Sequence, residues 1–310
     1  MVTTDSPART DRRPAATAPR VVKDSRGTTV FRAVNAAALV LIAAVTLYPF
    51  VNLVAQAFSS EGYINAGQVN LWPKGFNTTT FQVVMADPMF WRNYQNTVVY
   101  TVVATAIAMV LTTTFAYAIS KHHLKGRSVF IGIAVFTMFF NGGLVPNYVL
   151  INELGLKNTL WAIVLPNAIS VFNLLVMKSF FENFSTELEE AAEIDGLGTY
   201  GKLARIVLPL SKAVIATMVL FYAVSFWNSW FSAFLYMDRA ELYPVTVYLR
   251  NLLAAATSLD AMGGGSGEST QIASNVKAVT MLLTVLPIIC LYPFIQKYFV
   301  SGVMLGAVKQ

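Results

Sequence analysis

The residues whose types and spacing most suggest chemistry in this 310-residue chain are the glycines at 196–201. Gly196-Leu197-Gly198-Thr199-Tyr200-Gly201 satisfies G-x-G-x-x-G, the spacing by which dinucleotide-binding folds lay a pyrophosphate against backbone amides. Gly196 through Gly201-Lys202-Leu203 also comes close to G-x-x-x-x-G-K-[ST], the phosphate-binding loop of nucleotide hydrolases. Both motifs need a preceding β-strand, so that the phosphate sits on a helix N-terminus at a sheet edge. Here an acidic segment of helical spacing precedes the glycines, long apolar runs flank the region, and Leu203 lacks the hydroxyl that would bind magnesium. Neither reading survives. The chain is not expected to hydrolyse ATP, and no catalytic residue or metal ligand is assigned. The only cysteine, Cys290, lies in an apolar run, which excludes an intramolecular disulfide or a cysteine zinc cluster.

The composition says what must position these residues. Only 12% of residues are charged and 55% are hydrophobic, too few polar groups to cover the surface of a soluble protein of this length. That excludes a soluble enzyme, a disordered regulator and a secreted disulfide scaffold. Six runs are long enough to cross about 30 Å of hydrocarbon: 34–58, 95–119, 128–150, 159–177, 213–237 and 278–296. None contains Asp, Glu, Lys, Arg or His, and such runs satisfy their backbone hydrogen bonds in lipid as helices. Ala55-Gln56-Ala57 imitates a signal-peptidase site, but the preceding block is too long and starts too late for a signal peptide, so it reads as a retained span. The expectation is an all-α membrane protein of six transmembrane helices. A disordered basic tail occupies 1–33 and the membrane domain 34–310.

Lys and Arg in the connections set the orientation. Sixteen of the 22 fall in residues 1–33, 120–127, 178–212 and the C-terminus, against six in the opposite connections, which predicts cytoplasmic N- and C-termini. The positive charge thus serves topology, and no nucleic-acid partner is expected. Residues 59–94 and 238–277 become outer loops. Within the second, Leu242–Ala256 predicts a short surface helix and Gly263-Gly264-Gly265-Ser266-Gly267 a flexible linker.

The inner loop 178–212 departs from this pattern. Glu182, Glu187, Glu189, Glu190, Glu193 and Asp195 make it acidic where topology favours positive charge. Spacing predicts two short helices joined by a bend at Gly196 and Gly198. Leu188, Ala191 and Ala192 share one face of the first, with Glu189, Glu190 and Glu193 opposite. Tyr200, Leu203, Ala204 and Val207 share a face of the second, and Pro209 ends it or starts the next span.

The same residues resemble a known family. Glu190-Ala191-Ala192, three residues, Gly196, nine residues, then Ile206, Leu208 and Pro209 match EAA-x3-G-x9-I-x-LP, the signature of inner-membrane permease subunits of binding-protein-dependent ABC importers. Phe140-Asn141-Gly142-Gly143-Leu144-Val145-Pro146, Phe221 through Trp230, and the tail from Tyr292 to Met304 are similar to the carbohydrate-uptake branch, which includes the smaller maltose-permease subunit and permeases for oligosaccharides such as alginate fragments. The resemblance spans roughly 90–310. It implies a type I ABC importer permease fold in a bacterial plasma membrane. It also implies that Glu190, Ala191, Ala192, Gly196, Ile206, Leu208 and Pro209 serve ATPase coupling, the EAA helices docking on a cytoplasmic ATPase so that ATP-driven closure is converted into alternating access. The implied partners are a second permease, usually a different chain, two copies of the ATPase subunit holding ATP and magnesium, an extracytoplasmic binding protein, a sugar and membrane lipid. No cofactor is implied for this chain. By the same resemblance, Gly306–Gln310 reaches toward the ATPase.

Polar and aromatic groups inside spans are candidates for the sugar path: Asn167, Asn173, Tyr222, Trp227 and Asn228. Amides can hydrogen-bond sugar hydroxyls and aromatic rings can cover pyranose faces. The same residues could equally serve helix packing. An ion-coupled secondary transporter remains an alternative, weakened by the absence of ionisable groups from the spans. So does an ABC permease for a non-sugar solute.

Overall fold

The structure is a computed structural model, and it describes residues 26–261, 275–291 and 293. The chain divides into two compact units, 1–50 and 51–310. Among the described residues every regular element is helical.

The described part of the first unit belongs to α1, Arg26–Ala57, an apolar helix that carries Pro49. It begins at Arg26 rather than at residue 34, so residues 26–33 of the expected disordered tail are helical. Residues 1–25, the Gly263–Gly267 linker, and the C-terminal tail with Gly306–Gln310 lie outside the described residues.

In the second unit, α2 (Glu61–Asn65) and α3 (Thr79–Ala86) occupy the loop expected at 59–94. The central helix is α4, Pro88–Ser120, which starts earlier than residue 95 because its start signal lies there. The Asp87 carboxylate accepts the Met89 N–H at 2.8 Å, and Pro88, which has no N–H to satisfy, opens the helix. One face of α4 is buried and small: Thr97, Thr101, Ala104, Thr105, Ala108, Thr112 and Ala116 recur at helical spacing. Small residues let neighbouring helices approach closely, the packing favoured where lipid removes any hydrophobic drive between helices. α8 (Val171–Glu182) and α12 (Lys212–Trp227) pack along it. The Tyr222 hydroxyl lies 2.6 Å from that of Thr112, and the Val245 N–H donates to Thr97 Oγ1 at 2.8 Å.

The predicted spans are not all straight helices. α1 and α4 are each long and apolar enough to cross a bilayer alone. The run 128–150 is instead α5 (Arg127–Phe139) and α6 (Leu144–Glu153), bent by 113°. At about 1.5 Å per residue α5 alone is too short to span. The break falls at Asn141-Gly142-Gly143, where Gly143 takes φ +91° and its N–H is accepted by Asn141 Oδ1 at 2.9 Å. The run 159–177 is α7 (Trp161–Val164), a 3-10 turn through Asn167, and α8, bent by 51°. The run 213–237 is α12, a break at Asn228–Trp230, and α13 (Phe231–Tyr236). α14 (Val245–Ala261) realises the helix predicted at 242–256, and Asn275–Leu291 forms a shorter apolar helix, α15. Hydropathy averaged over a run does not register these turns, because the breaking residues are themselves uncharged.

Candidate coupling surface and substrate cavity

The loop 178–212 carries α9 (Thr186–Ile194), α10 (Thr199–Lys202), a π turn over Leu203–Val207 and the single turn α11 (Leu208–Leu210). Glu187 and Glu189 lie in the first turn of α9, where the helix dipole favours negative charge. The helix ends in a Schellman arrangement: the Leu197 N–H donates to the Ala192 carbonyl at 2.9 Å and the Gly196 N–H to the Glu193 carbonyl at 3.0 Å. Gly196 closes it at φ +80°, a left-handed conformation that glycine adopts without steric cost.

One side of α9 faces the bundle. Ala192 is buried, and the Glu189 carboxylate pairs with Lys121 in the turn after α4. The Lys121 ammonium also sits 4.3 Å from the centre of the Tyr117 ring. Nearby, Arg127 pairs with Glu182 and donates from Nε to the Ile119 carbonyl at 2.8 Å, while Lys178 reaches Glu182 at 2.8 Å. Beyond the glycine, Leu203 and Val207 bury beside Leu174, Met177 and Met218. Lys202 spans the bend to Glu193 at 2.9 Å and, through that hydrogen bond, holds the Glu193 carboxyl below the usual carboxylate range.

The other side faces away. Glu190 and Ala191 are exposed, Ile194 is 88% exposed and Tyr200 is 85% exposed. Large apolar groups this bare on two sides of one bend form a surface suited to a partner.

A second feature lies between the broken span and α12. A cavity of about 1170 Å³ is walled by Asn167, Ile169, Ser170, Phe172 and Asn173 on one side and by Leu220 to Phe226, without Ala223, on the other, with Pro166 and Ile288 completing it. The helix interruption at Ser170 makes room for it, and irregular backbone at membrane depth is tolerated where it lines such a cavity. The Tyr222 hydroxyl accepts the Ser170 N–H at 2.9 Å, satisfying a backbone group that the break releases.

Comparison with known proteins decides the family. The family model described as binding-protein-dependent transport system inner membrane component matches residues 127–305. The chain belongs to that family. Protein LplC of Bacillus subtilis (strain 168) is 38% identical over 284 residues, covering 90% of this chain and 95% of that protein. The polygalacturonan/rhamnogalacturonan transport system permease protein YtcP of the same organism is 35% identical over 275 residues, covering 87% and 95%. Among solved structures, a chain of a bacterial ABC transporter involved in the import of the acidic polysaccharide alginate superposes with a TM-score of 0.80 at 32% identity, covering 89% of this chain and 99% of that one.

Within this inner membrane component the sequence candidates fall into groups. Glu190, Ala191, Ala192 and Gly196 come together on α9 and its cap. Ala191 and Ala192 do not share a face, however, and neither do Glu189 and Glu190. Adjacent helical residues point about 100° apart, and the Lys121 contact turns Glu189 inward with Ala192. Ile206 and Leu208 are half-buried, and Leu208 packs against the core beneath the loop. Pro209 is exposed in the last turn before an 86° bend at Ser211. Tyr200 and Ala204 turn outward, away from the face shared by Leu203 and Val207. Of the path candidates, Asn167, Asn173 and Tyr222 line the cavity, and Trp227 and Asn228 do not. Trp227 is buried against Tyr94 and donates from Nε1 to the Thr284 carbonyl at 3.1 Å, and the Asn228 amide donates back to the Val224 carbonyl at 2.9 Å. The outward Ile194 escaped the sequence reading. Its only signal was an apolar residue one place past the last predicted face position.

Proposed function

We propose that the chain is the translocation-pathway subunit of an ATP-driven, binding-protein-dependent importer of an oligosaccharide. The observation that carries this is the built coupling surface: α9 is tied to the bundle through Glu189 and Ala192, and presents Glu190, Ala191, Ile194 and Tyr200 outward. Such a surface can transmit a push. The Lys121 pair joins α9 to the end of α4, the Lys202 pair joins it to α10, and Leu203 and Val207 pack beside Leu174 and Met177 of α8 and Met218 of α12, so that movement of a partner bound there moves the helices that wall the cavity. The names of similar proteins, which include permeases of polysaccharide and oligosaccharide transport systems, support a carbohydrate.

In this reading six spans cross the membrane, some of them bent, with both termini in the cytoplasm. A second permease completes the pathway. Two ATPase subunits hold ATP and magnesium, so this chain needs no cofactor and is no enzyme. An extracytoplasmic binding protein delivers the sugar, and the cavity beside α12 is this chain's part of its path.

Affinity purification of the tagged chain in gentle detergent, read by mass spectrometry, tests the assembly. The expected result is recovery of an ATPase and a second permease, with the ATPase lost on Glu190→Arg. Recovery of the chain alone, active in proteoliposomes under an ion gradient, would overturn it in favour of a secondary transporter.

A further inference from the structure

We propose that the cavity beside α12 is a subsite for a neutral sugar unit, anchored by the Asn173 amide; this rests on the importer reading above. Asn173 is only 5% exposed and lies on the cavity wall. Its side-chain amide makes no hydrogen bond among the described residues, whereas the other polar groups around the break are engaged. The Ser170 hydroxyl accepts the Asn173 N–H at 3.4 Å, and the Tyr222 hydroxyl is held by Thr112 and the Ser170 N–H. An amide on a cavity wall that no protein group satisfies is open to a partner from within the cavity. A hydroxylated ligand in the cavity supplies the partner. An amide both donates and accepts, so it can pair with a hydroxyl in either sense.

The remaining wall suits the rest of a sugar. Phe172 projects from α8, 56% exposed, and can cover the C–H face of a pyranose ring. About 1170 Å³ is somewhat above the usual range of small-ligand sites, roughly 300–1,000 Å³, and admits more than one sugar unit. Among the described residues no carboxylate, ammonium, guanidinium or imidazole lines it. A uronate entering here would leave its carboxylate in a low-dielectric setting without a cation, a large desolvation cost. The chain therefore selects for neutral units at this subsite, even though two of the similar proteins are named for acidic polysaccharides.

The test uses the purified complex of both permeases and the ATPase in nanodiscs, without binding protein, so that selectivity is that of the membrane path. The probes are tritiated neutral tetrasaccharides of gluco, galacto and manno configuration and tritiated tetragalacturonate, in equilibrium binding. At least one neutral probe is expected to bind about tenfold more tightly than tetragalacturonate. Asn173→Leu is expected to weaken that neutral probe about tenfold, with Asn173→Asp, which still accepts from a hydroxyl, losing less. Equal or tighter uronate binding, an Asn173→Leu complex that binds as well as the wild type, or no binding of any probe to an assembled complex would each overturn the proposal. Loss of the second permease from the Asn173→Leu complex would also overturn it, showing that the partner chain fills the cavity. Failure of the wild-type chain to assemble with an ATPase would instead overturn the importer reading beneath it.

Discussion

At Gly196 the backbone adopts φ +80°, and a Cβ added there would meet no atom within 4 Å. A substitution therefore costs conformational energy alone, roughly 1–2 kcal/mol for a residue forced left-handed, more for a β-branched one and less for Asn. Gly196→Asn is expected to keep sugar-stimulated ATPase activity in the reconstituted complex and Gly196→Val to lose most of it. Equal activity in the two variants would show that the bend need not be left-handed. The exposed pair supplies a second residue-scale prediction. Because Ile194 and Tyr200 bury so little within this chain, Ile194→Ser with Tyr200→Ser should leave its thermal stability within about 0.5 kcal/mol. The same pair should reduce ATPase recovery in pull-downs at least tenfold. Undiminished recovery would place the contact elsewhere on the loop.

Among the elements, α9 is positioned by charge as well as by packing. The Lys121 and Glu189 side chains are 19% and 14% exposed, so losing one partner leaves a half-buried charge, which costs more than the 0.2–1 kcal/mol of an open surface pair. Lys121→Glu should uncouple ATP hydrolysis from uptake by freeing α9 from the end of α4. Lys121→Glu combined with Glu189→Lys should recover most of the uptake. No recovery in the double variant would mean that the pair does not position the helix. The element scale is also where hydropathy misled. The runs at 128–150 and 159–177 carry no charged residue, yet Gly143 and the turn before Ser170 break them, and the second break opens the cavity. The capping signals of α9 were legible because they are local: acidic residues in the first turn, and a glycine just past the last. The inward turn of Glu189 was not, since its cause is a lysine 68 positions away in sequence.

For the whole molecule, the charge asymmetry of the connections makes a topological prediction that Cys290, as the only cysteine, makes simple to test. In a Cys290→Ser background, a cysteine at Lys202 should react with an impermeant maleimide only from the cytoplasmic side of sealed vesicles. A cysteine at Lys74 should react only from the opposite side. Labelling of both from one side would overturn the orientation, and with it the assignment of 178–212 as the ATPase-facing loop.

What the sequence by itself determined were properties that depend on neighbours along the chain. These are the helical membrane class, set by long apolar runs free of charge, and the place of the loop proposed for coupling, marked by its acidic residues and by the EAA spacing. The bend at Gly196, set by the conformational freedom of one residue, is another. What only the tertiary structure decided were properties that depend on groups distant in sequence. Glu189 turns inward and Glu190 outward because Lys121 lies on one side of α9. Asn173 and Tyr222 line one cavity from opposite sides, and Trp227 does not line it, because α8 and α12 pack on the small-residue face of α4 with a break at Ser170. Periodicity assigns a residue to a face of its own helix, but which face meets a neighbour is set by the packing of the other helices.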